Sequence, residues 1–255
     1  MKQLPTNLLI FLPTLNEFGN ISLIMKEILF HLPQAQILVI DDGSTDGTRE
    51  EIAALNLSNI SVINRKFRKG IGSAHLQAIN YAISNCFDFL VTLDADGTHK
   101  VSDVLRLLEM APFYDLVIGS RFHSKDSLKG WSYARKFLTR SAHFTTKFGL
   151  GLSHDCSSGL RCYNLIHKKF NPVISLEANG YDFFFKSVYV LSKSGFRIKD
   201  LSVILEARRQ GESKMDFLSA ITSIRKLLLT VLSFRLRDRK STRLNSSHVS
   251  ESRMP

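Results

Sequence analysis

Short apolar runs rich in β-branched and aromatic residues recur along the first half of the chain, and a polar turn follows each one. Runs of this length and composition predict buried strands. The predicted strands are Leu8–Leu12, Ile37–Ile40, Ile60–Ile63, Phe89–Leu93 and Leu116–Ile118. We expect Pro13 to end the first strand, because proline has no N–H group to donate to a sheet.

Segments with apolar residues at helical spacing separate these strands. We expect a helix from about Gly19 to Leu32, capped by Asn16, and a helix after the turn at Asp41–Thr48. Gly70 and Gly72 open another helix, and Val101–Met110 is predicted to be helical. Because strands and helices alternate with short connections, the pattern predicts a doubly wound α/β fold with a mainly parallel sheet.

The pattern changes after Arg121. Trp131–Leu150 and Met215–Leu236 carry apolar residues at helical spacing with Lys and Arg between them. Basic amphipathic helices of this kind lie in a membrane interface, but helices that pack on a core with solvated basic faces have the same pattern. Both interpretations stay open. We predict one domain over residues 1–238 and a disordered or non-native tail over residues 239–255.

Charge and cysteine content narrow the function classes. The 255 residues carry a net charge of +11, which favours anionic partners such as nucleotide phosphates, nucleic acid or acidic lipid. The three cysteines form no CxxC pair, so we expect no zinc ribbon and a reducing, cytoplasmic setting. Uninterrupted apolar windows of about 18 to 20 residues are missing, so we expect any membrane contact to be peripheral.

Two carboxylates, Asp94 and Asp96, follow the fourth predicted strand. Ligands bind at the carboxyl edge of open α/β sheets. Two acids on one short turn repel each other unless a cation lies between them, and hard oxygen ligands favour Mg²⁺ or Mn²⁺. Such an ion would neutralise a diphosphate leaving group. The alternative interpretation is an Asx-type turn that closes the strand.

Other turns at the same predicted edge carry weaker signals. Asp41-Asp42 ends the second strand, where a carboxylate can hold ribose hydroxyls or a base edge. Pro13–Glu17 follows the first strand and on its own indicates only a strand end and a helix cap. Gly70-Ile71-Gly72 lacks the third glycine of a dinucleotide fingerprint, so we interpret it as a backbone turn near the nucleotide.

Taken together, these segments resemble glycosyltransferase family 2, whose members have the GT-A fold, a Rossmann-like three-layer sandwich. The resemblance covers residues 7 to about 236 and rests on an ordered set of motifs. They are PTLNE at Pro13–Glu17, VIDDGSTDGT at Val39–Thr48, LDADGTH at Leu93–His99 and VIGSRF at Val117–Phe122.

Two later segments look like those of polyprenol-phosphate and dolichol-phosphate mannosyltransferases. They are Asp155–Arg161, and Gly180-Tyr181 followed by Arg208–Lys214. Enzymes of this group move mannose from GDP-mannose to a polyprenyl phosphate. The resemblance implies a catalytic role for Asp94, Asp96 and Arg121, and a metal site at Asp94, Asp96 and Thr98. The substrate-binding residues that it implies are Pro13, Leu15, Glu17, Ile40, Asp42, Ala95, Arg135, Arg208 and Lys214.

The acceptor is inferred partly from what is missing. Family members that use a hydroxyl acceptor usually supply a Glu-Asp pair as general base, whereas this chain has Gly180–Phe183 in that area. A phosphate is already anionic near neutral pH and needs no base. The turn that carries Asp94 and Asp96 departs from the family pattern at three places. Gly97 stands in place of a bulkier residue, Thr98 in place of Ser or Gln, and Lys100-Val101 in place of His-Pro.

We therefore expect an inverting, metal-dependent transferase that places a hexose on a polyprenyl phosphate at the inner, cytoplasmic face of the membrane. Two alternatives stay open: a UDP-sugar-dependent glucosyl or N-acetylglucosaminyl transferase, and a non-catalytic membrane-associated scaffold. We expect no nucleic-acid partner, because the chain contains no recognition motif for one.

Overall fold

A computed structural model gives the fold, and it describes residues 5–122, 127, 133–166, 170–205 and 225–232. Within them, seven strands form one sheet in the order β3-β2-β1-β4-β6-β5-β7. The strands are β1 Leu8–Thr14, β2 Gln36–Asp41, β3 Ile60–Asn64, β4 Phe89–Thr92, β5 Leu116–Ser120, β6 Arg161–Asn164 and β7 Ile198–Ser202. The helices are α1 Ile21–His31, α2 Thr48–Ala54, α3 Ile71–Ser84, α4 Val101–Met110, α5 Tyr133–Leu150, α6 Asn171–Ile174 and α7 Asp182–Lys193, with a 3₁₀ turn at Ala111–Phe113.

The sheet is parallel except at β6, which is antiparallel to both of its neighbours, β4 and β5. The predicted mainly parallel α/β fold is therefore confirmed. Apolar side chains from β1 alternate between the two faces of the sheet. Leu9 and Phe11 join a core with α3, α6 and α7, whereas Leu8 and Ile10 join a second core with α1 and α4. The two cores make the fold a three-layer sandwich.

Parallel pairing brings the ends of β1, β2 and β4 to one edge of the sheet. Thr14 of β1 pairs with Asp41 of β2, and Phe11 pairs with Thr92 of β4. The turns that follow these strands thus lie side by side, and they carry most of the polar residues singled out in the sequence.

The prediction that Pro13 ends the first strand is wrong, because β1 continues to Thr14. The carbonyl of Phe11 accepts from the N–H of Leu93 on the β4 side, whereas the carbonyl of Thr14 accepts from the N–H of Asp42 on the β2 side. By alternation the nitrogen of Pro13 faces the β4 side, where β4 has already ended at Thr92. Proline therefore removes no ladder hydrogen bond here.

The prediction that Asn16 caps the first helix is also wrong. The N-cap of α1 is Asn20, whereas Asn16 has a left-handed backbone with φ of 53°. Its side-chain oxygen accepts from the N–H of Thr45 at 2.9 Å, and its own N–H donates to the Ser44 hydroxyl at 2.8 Å. Asn16 therefore joins the turn after β1 to the turn after β2.

The two basic amphipathic segments are described only in part. Helix α5 occupies Tyr133–Leu150 of the predicted Trp131–Leu150, and residues 225–232 of Met215–Leu236 are helical. The remainder of these segments and residues 239–255 lie outside the described residues. None of the helices described is both long enough and apolar enough to cross a membrane.

Candidate active site

A cleft opens at the edge of the sheet where β1, β2 and β4 end. The residues that line it come from the turns after these strands, from the start of α3, and from the two segments before β6 and at the start of α7. They are Pro13, Thr14, Leu15, Glu17, Ile40, Asp42, Arg68, Ile71, Ala74, Asp94, Ala95, Asp96, Ser157, Gly159, Tyr181 and Phe184.

Asp94 and Asp96 both line this cleft, in different environments. The Asp94 side chain is 44% exposed, and its Oδ2 lies 3.7 Å from Nε2 of His99. Asp96 is buried, and its Oδ1 accepts from the N–H of Thr98 at 3.0 Å and from the Thr98 hydroxyl at 2.7 Å. Asp96 thus makes the Asx-type turn of the alternative interpretation, and the turn presents both carboxylates to the same cleft.

The donor chemistry of this turn fits a hard divalent cation. Two carboxylates and a hydroxyl lie within five residues of chain, and carboxylate and hydroxyl oxygens suit Mg²⁺ or Mn²⁺. Within the part of the chain that the structure describes, no group of three or more His, Cys, Asp or Glu residues is placed to hold a metal. Further ligands would have to come from a bound diphosphate or water, as is usual for Mg²⁺.

Close approach at Gly159 shapes the wall beside Asp94. A Cβ atom on Gly159 would lie 3.2 Å from Oδ1 of Asp94, so a larger residue would crowd the carboxylate. The hydroxyl of Thr92, at the end of β4, donates to the carbonyl of Gly159 at 2.6 Å. This bond fixes the segment before β6 against the turn that carries Asp94 and Asp96.

Asp41, by contrast, is fully buried and does not line the cleft. Its carboxylate accepts from Nε of Arg49 at 2.5 Å, from the N–H of Ser44 at 3.0 Å and from the Ser44 hydroxyl. Burial alone would raise the pKa of Asp41, but the hydrogen bonds from Ser44 and Arg49 outweigh it and lower the pKa below its usual value. Asp41 therefore holds the turn after β2 in place.

Asp42 lines the cleft, and its carboxylate also holds the loop before α3. Oδ1 accepts from the N–H of Lys69 at 2.8 Å and from Nη1 of Arg65 at 3.2 Å, and Oδ2 accepts from the N–H of Gly70 at 2.8 Å. The same loop carries Arg68 into the cleft wall. Asp42 therefore links the turn after β2 to the loop that carries Arg68, a cation that the sequence analysis did not single out.

The Gly70-Ile71-Gly72 segment serves close packing. A Cβ atom on Gly70 would lie 2.3 Å from the carbonyl oxygen of Asn179, and one on Gly72 would lie 2.5 Å from the carbonyl oxygens of Ala178 and Gly180. The N–H of Gly72 donates to the Asn179 carbonyl at 3.0 Å. The two glycines let the loop that carries Tyr181 approach the start of α3.

Arg121 follows β5 as predicted, but it pairs with a carboxylate of the protein. Its Nε and Nη2 donate to the two oxygens of Asp155 at 2.9 and 2.8 Å, and Nη2 also donates to the Ser157 hydroxyl at 2.6 Å. Burial alone would raise the pKa of Asp155, but Arg121 outweighs it and lowers the pKa to about 2. Arg121 is not among the cleft-lining residues, so its contact with a phosphate stays a prediction.

Eight predicted site residues come together in the cleft: Pro13, Leu15, Glu17, Ile40, Asp42, Asp94, Ala95 and Asp96. Thr98 is not among the cleft-lining residues, and its N–H and hydroxyl donate to Oδ1 of Asp96. Arg135 lies in α5 but its side chain is outside the described residues, as are Arg208 and Lys214 altogether. The sequence analysis missed Arg68, Tyr181 and Phe184 as cleft residues. Of these three residues, only Tyr181 had a signal in the sequence, through the Gly180-Tyr181 motif. Arg68 lies in a loop and Phe184 in a helix, and neither directly follows a predicted strand, so no pattern marked them as cleft residues.

Comparison with known proteins shows the family of this chain. The sequence model described as Glycosyl transferase family 2 matches residues 9–171. The chain is 30% identical over 236 residues to polyprenol monophosphomannose synthase of Mycolicibacterium smegmatis, covering 91% of this chain and 88% of that one. It is also 30% identical over 211 residues to undecaprenyl-phosphate mannosyltransferase of Micrococcus luteus, covering 82% of this chain and 87% of the relative.

A solved structure has the same fold. Glucosyl-3-phosphoglycerate synthase from Mycobacterium tuberculosis, crystallised with Mn²⁺, UDP and glucosyl-3-phosphoglycerate, superposes with a TM-score of 0.62 at 20% identity. The superposition covers 89% of this chain and 78% of that one. The chain thus has a nucleotide-sugar transferase fold of the GT-A type. It belongs to glycosyltransferase family 2 and is a glycosyltransferase.

Proposed function

We propose that the protein transfers mannose from GDP-mannose to a polyprenyl phosphate, with inversion at the anomeric carbon, at the cytoplasmic face of the membrane. The observation that carries the proposal is the meeting of three strand-end turns in one cleft, with Asp94 and Asp96 among its lining residues. The names of the two relatives at 30% identity support the acceptor and the sugar.

The nucleoside would lie along the turns after β1 and β2. Pro13 and Leu15 offer apolar surface for a base, and Glu17, Ile40 and Asp42 line the same part of the cleft. Because Asp42 is held by two backbone N–H groups and Arg65, its position is set before the donor arrives. Preorganised groups of this kind reduce the ordering cost of binding.

Asp94, Asp96 and Thr98 would hold Mg²⁺ or Mn²⁺ near the donor diphosphate. When bound, the ion supplies charge neutralisation for the departing diphosphate. Asp96 and Thr98 orient each other through the 2.7 Å hydrogen bond, which keeps this part of the turn in one arrangement. Arg68, on the cleft wall, and Arg121, Arg135, Arg208 and Lys214, as implied by the family resemblance, would contact the donor and acceptor phosphates.

Apart from Asp94 and Asp96, which we assign to the metal, the carboxylates in and next to the described cleft have partners within the protein, which supports an acceptor that needs no general base. Asp42 is bound by the loop before α3, and Glu17 accepts from the side-chain amide of Asn20 at 3.0 Å. Asp182, near Tyr181, accepts from Nζ of Lys186 at 2.7 Å. A phosphate oxygen is already deprotonated at neutral pH and attacks the anomeric carbon directly, so the enzyme has only to position it.

An exposed face of α5 supports peripheral contact with the membrane. Tyr133, Phe137, Phe144 and Phe148 are 91%, 71%, 62% and 60% exposed, and Lys136, Arg140 and Lys147 lie on the same helix. The helical residues 225–232 pack against α5, since a Cβ atom on Gly149 would lie 2.8 Å from Cγ1 of Val231. They add the exposed side chains of Leu228, Leu229 and Leu232. Aromatic and basic residues together favour an anionic lipid surface.

A donor screen tests the proposed reaction. Purified protein is incubated with a short polyprenyl phosphate and GDP-mannose, UDP-glucose or UDP-N-acetylglucosamine, with Mg²⁺ or Mn²⁺ and with or without chelator. We expect a β-linked mannosyl lipid only with GDP-mannose, and none with chelator. A lipid product from a UDP-sugar instead would replace the proposed donor, and no product from any donor would contradict the proposed function.

Vesicle flotation tests the membrane contact separately. We expect binding to vesicles with anionic lipid and weak binding to neutral ones. The double change Phe144→Ser with Phe148→Ser should abolish flotation, whereas Phe30→Ser, on the exposed part of α1, should leave it unchanged. Equal flotation of all three proteins would contradict the assignment of this face.

A further inference from the structure

Arg161 is a buried cation next to the cleft wall, in contact with the cleft residue Phe184. It is the first residue of β6, its side chain is fully buried, and it follows the segment that carries Ser157 and Gly159 into the cleft wall. The sequence analysis quoted this residue as part of a family motif and gave it no role.

The acceptors around Arg161 are all neutral. Nε donates to the carbonyl of Ser158 at 2.8 Å, and Nη2 donates to the carbonyls of Phe184 at 2.8 Å and Cys156 at 3.4 Å. Nη1 donates to the hydroxyls of Ser187 at 2.8 Å and Tyr163 at 3.4 Å. All five N–H groups therefore have an acceptor, yet none of these acceptors carries a charge.

A buried charge without a counter-ion is unfavourable even when its hydrogen bonds are made. Among the ion pairs of the described residues, none involves Arg161. The nearby carboxylate of Asp155 is held by Arg121 in a two-pronged pair. The guanidinium group of Arg161 thus makes its hydrogen bonds but has no counter-ion in the described ion pairs.

This charge lies directly behind the cleft. The guanidinium carbon is 5.1 Å from the ring centroid of Phe184, and Phe184 lines the cleft beside Tyr181. The ring of His75 packs edge-on against Phe184, with centroids 4.9 Å apart. Burial lowers the pKa of His75 to about 3, Arg161 adds to this lowering, and Asp94 opposes it. Arg161 and Asp94 therefore influence the same buried ring with opposite sign.

We propose that Arg161 is a positioning residue that supplies a fixed positive charge behind the cleft, and that phosphate groups bound in the cleft are its counter-ions. The inference rests on the proposed function, because it requires a diphosphate donor in this cleft. Through its bonds to Ser158 and Phe184, the same side chain also holds the segment before β6 against α7, so the two walls of the cleft keep their spacing.

The effect of this charge is tested with ligands that carry no, one or two phosphate groups. Dissociation constants are measured for guanosine, GMP and GDP, with chelator and again with Mg²⁺, on the wild type, Arg161→Met and Arg161→Lys. Arg106→Gln, which removes an exposed guanidinium remote from the cleft, is the matched control. In Arg161→Met we expect the preference for GDP over guanosine to fall about tenfold, the size of a screened charge interaction at this depth, with guanosine affinity unchanged. Arg161→Lys should keep most of the preference.

The possible outcomes distinguish an effect of the Arg161 charge on the ligand from an effect of Arg161 on packing. Equal losses for guanosine and GDP in Arg161→Met would mean that Arg161 acts only through packing, and no loss would mean that its charge does not reach the ligand; either result overturns the inference. If Arg161→Met does not fold, Arg161→Lys decides, because a tenfold loss of the preference with the charge retained also overturns it. A wild type that binds no nucleoside diphosphate at all would contradict the proposed function itself.

Discussion

Two acidic turns at the same edge of the sheet differ in the burial and contacts of their carboxylates. Asp41 follows β2 and is buried, and its oxygens are taken by Arg49, Ser44 and backbone N–H groups. Asp94 follows β4, is 44% exposed and faces the cleft, with His99 at 3.7 Å. A buried carboxylate held by donors of the protein stabilises its turn, whereas a partly exposed carboxylate in the cleft wall is placed where a ligand can reach it.

The two turns differ in what packs beside them. The α2 helix supplies Arg49 to the carboxylate of Asp41, whereas Gly159 packs beside the carboxylate of Asp94 and leaves it partly exposed in the cleft wall. Similar sequence patterns at two strand ends therefore become a buried structural turn and a turn at the cleft that we propose as the binding turn, and the following predictions separate them.

The largest effect is expected for Asp94→Asn. Because Asp94 is half exposed and faces the proposed metal and diphosphate, we expect kcat/KM to fall on the order of 10³-fold. The melting temperature should stay near that of the wild type. Steady-state kinetics and thermal unfolding measure the two quantities, with the exposed Glu109→Gln on α4 as the control. Near-wild-type activity in Asp94→Asn would contradict the assignment of the binding turn.

Asp41→Asn should show the opposite behaviour. The change leaves Arg49 without its buried partner, and we expect the free energy of unfolding to fall by about 3 kcal/mol. Because Asp41 does not line the cleft, the folded fraction should bind GDP with unchanged affinity. Urea unfolding and calorimetry measure these quantities. A loss of nucleotide affinity without a loss of stability would place Asp41 in the site instead.

Asp155 extends the comparison to a third carboxylate, since Arg121 takes both of its oxygens. Its pKa of about 2, compared with an ordinary value of 3.8, makes the ionised form stabilising. This contribution is fully present above pH 4 and is lost as the pH falls toward 2. It amounts to about 2 kcal/mol. We expect Asp155→Asn to be less stable than the wild type at pH 6, with the gap closing toward pH 2. A gap that is constant in urea titrations from pH 6 to pH 3 would contradict the pairing.

The smallest effect is expected for Thr98→Ala. The Thr98 hydroxyl donates to Asp96 and orients it, so removing it should weaken Mg²⁺ or Mn²⁺ activation about tenfold. Thr98→Ser keeps the hydroxyl and should behave like the wild type. Activity as a function of metal concentration measures the change. Equal activation curves for the alanine and serine variants would show that the hydroxyl has no part in the site.

Strands with a regular signal were predictable from the sequence. The strands before β6 and the Val101–Met110 helix have strong apolar patterns, and their turns carry the motif residues that meet in the cleft. The sequence analysis did not assign β6, because Arg161–Asn164 is only four residues long and shows no alternation. It also did not assign α7, where Phe183, Phe184 and Phe185 are all buried, so the helix begins without a polar face.

The roles of individual charges were not predictable in the same way. The pairing of Arg121 with Asp155 and of Arg49 with Asp41 depends on contacts between distant parts of the chain, which no local pattern records. Pro13 shows the same limit. Its effect depends on whether the strand beside it has ended, which is a property of the assembled sheet.

The antiparallel strand between β4 and β5 has a consequence for how the protein is made. While a ribosome is still synthesising the segment between Ser120 and Arg161, β4 can pair only with β1, and β5 has neither of its neighbours, β6 and β7. Each then presents unpaired N–H and C=O groups, which are prone to pairing with other chains. The strand that fills this gap directly follows the segment that carries Ser157 and Gly159 into the cleft wall. Synthesis of this segment and β6 therefore covers the open edge of β4 and adds one wall of the cleft together, whereas the other edge of β5 stays open until β7 is made.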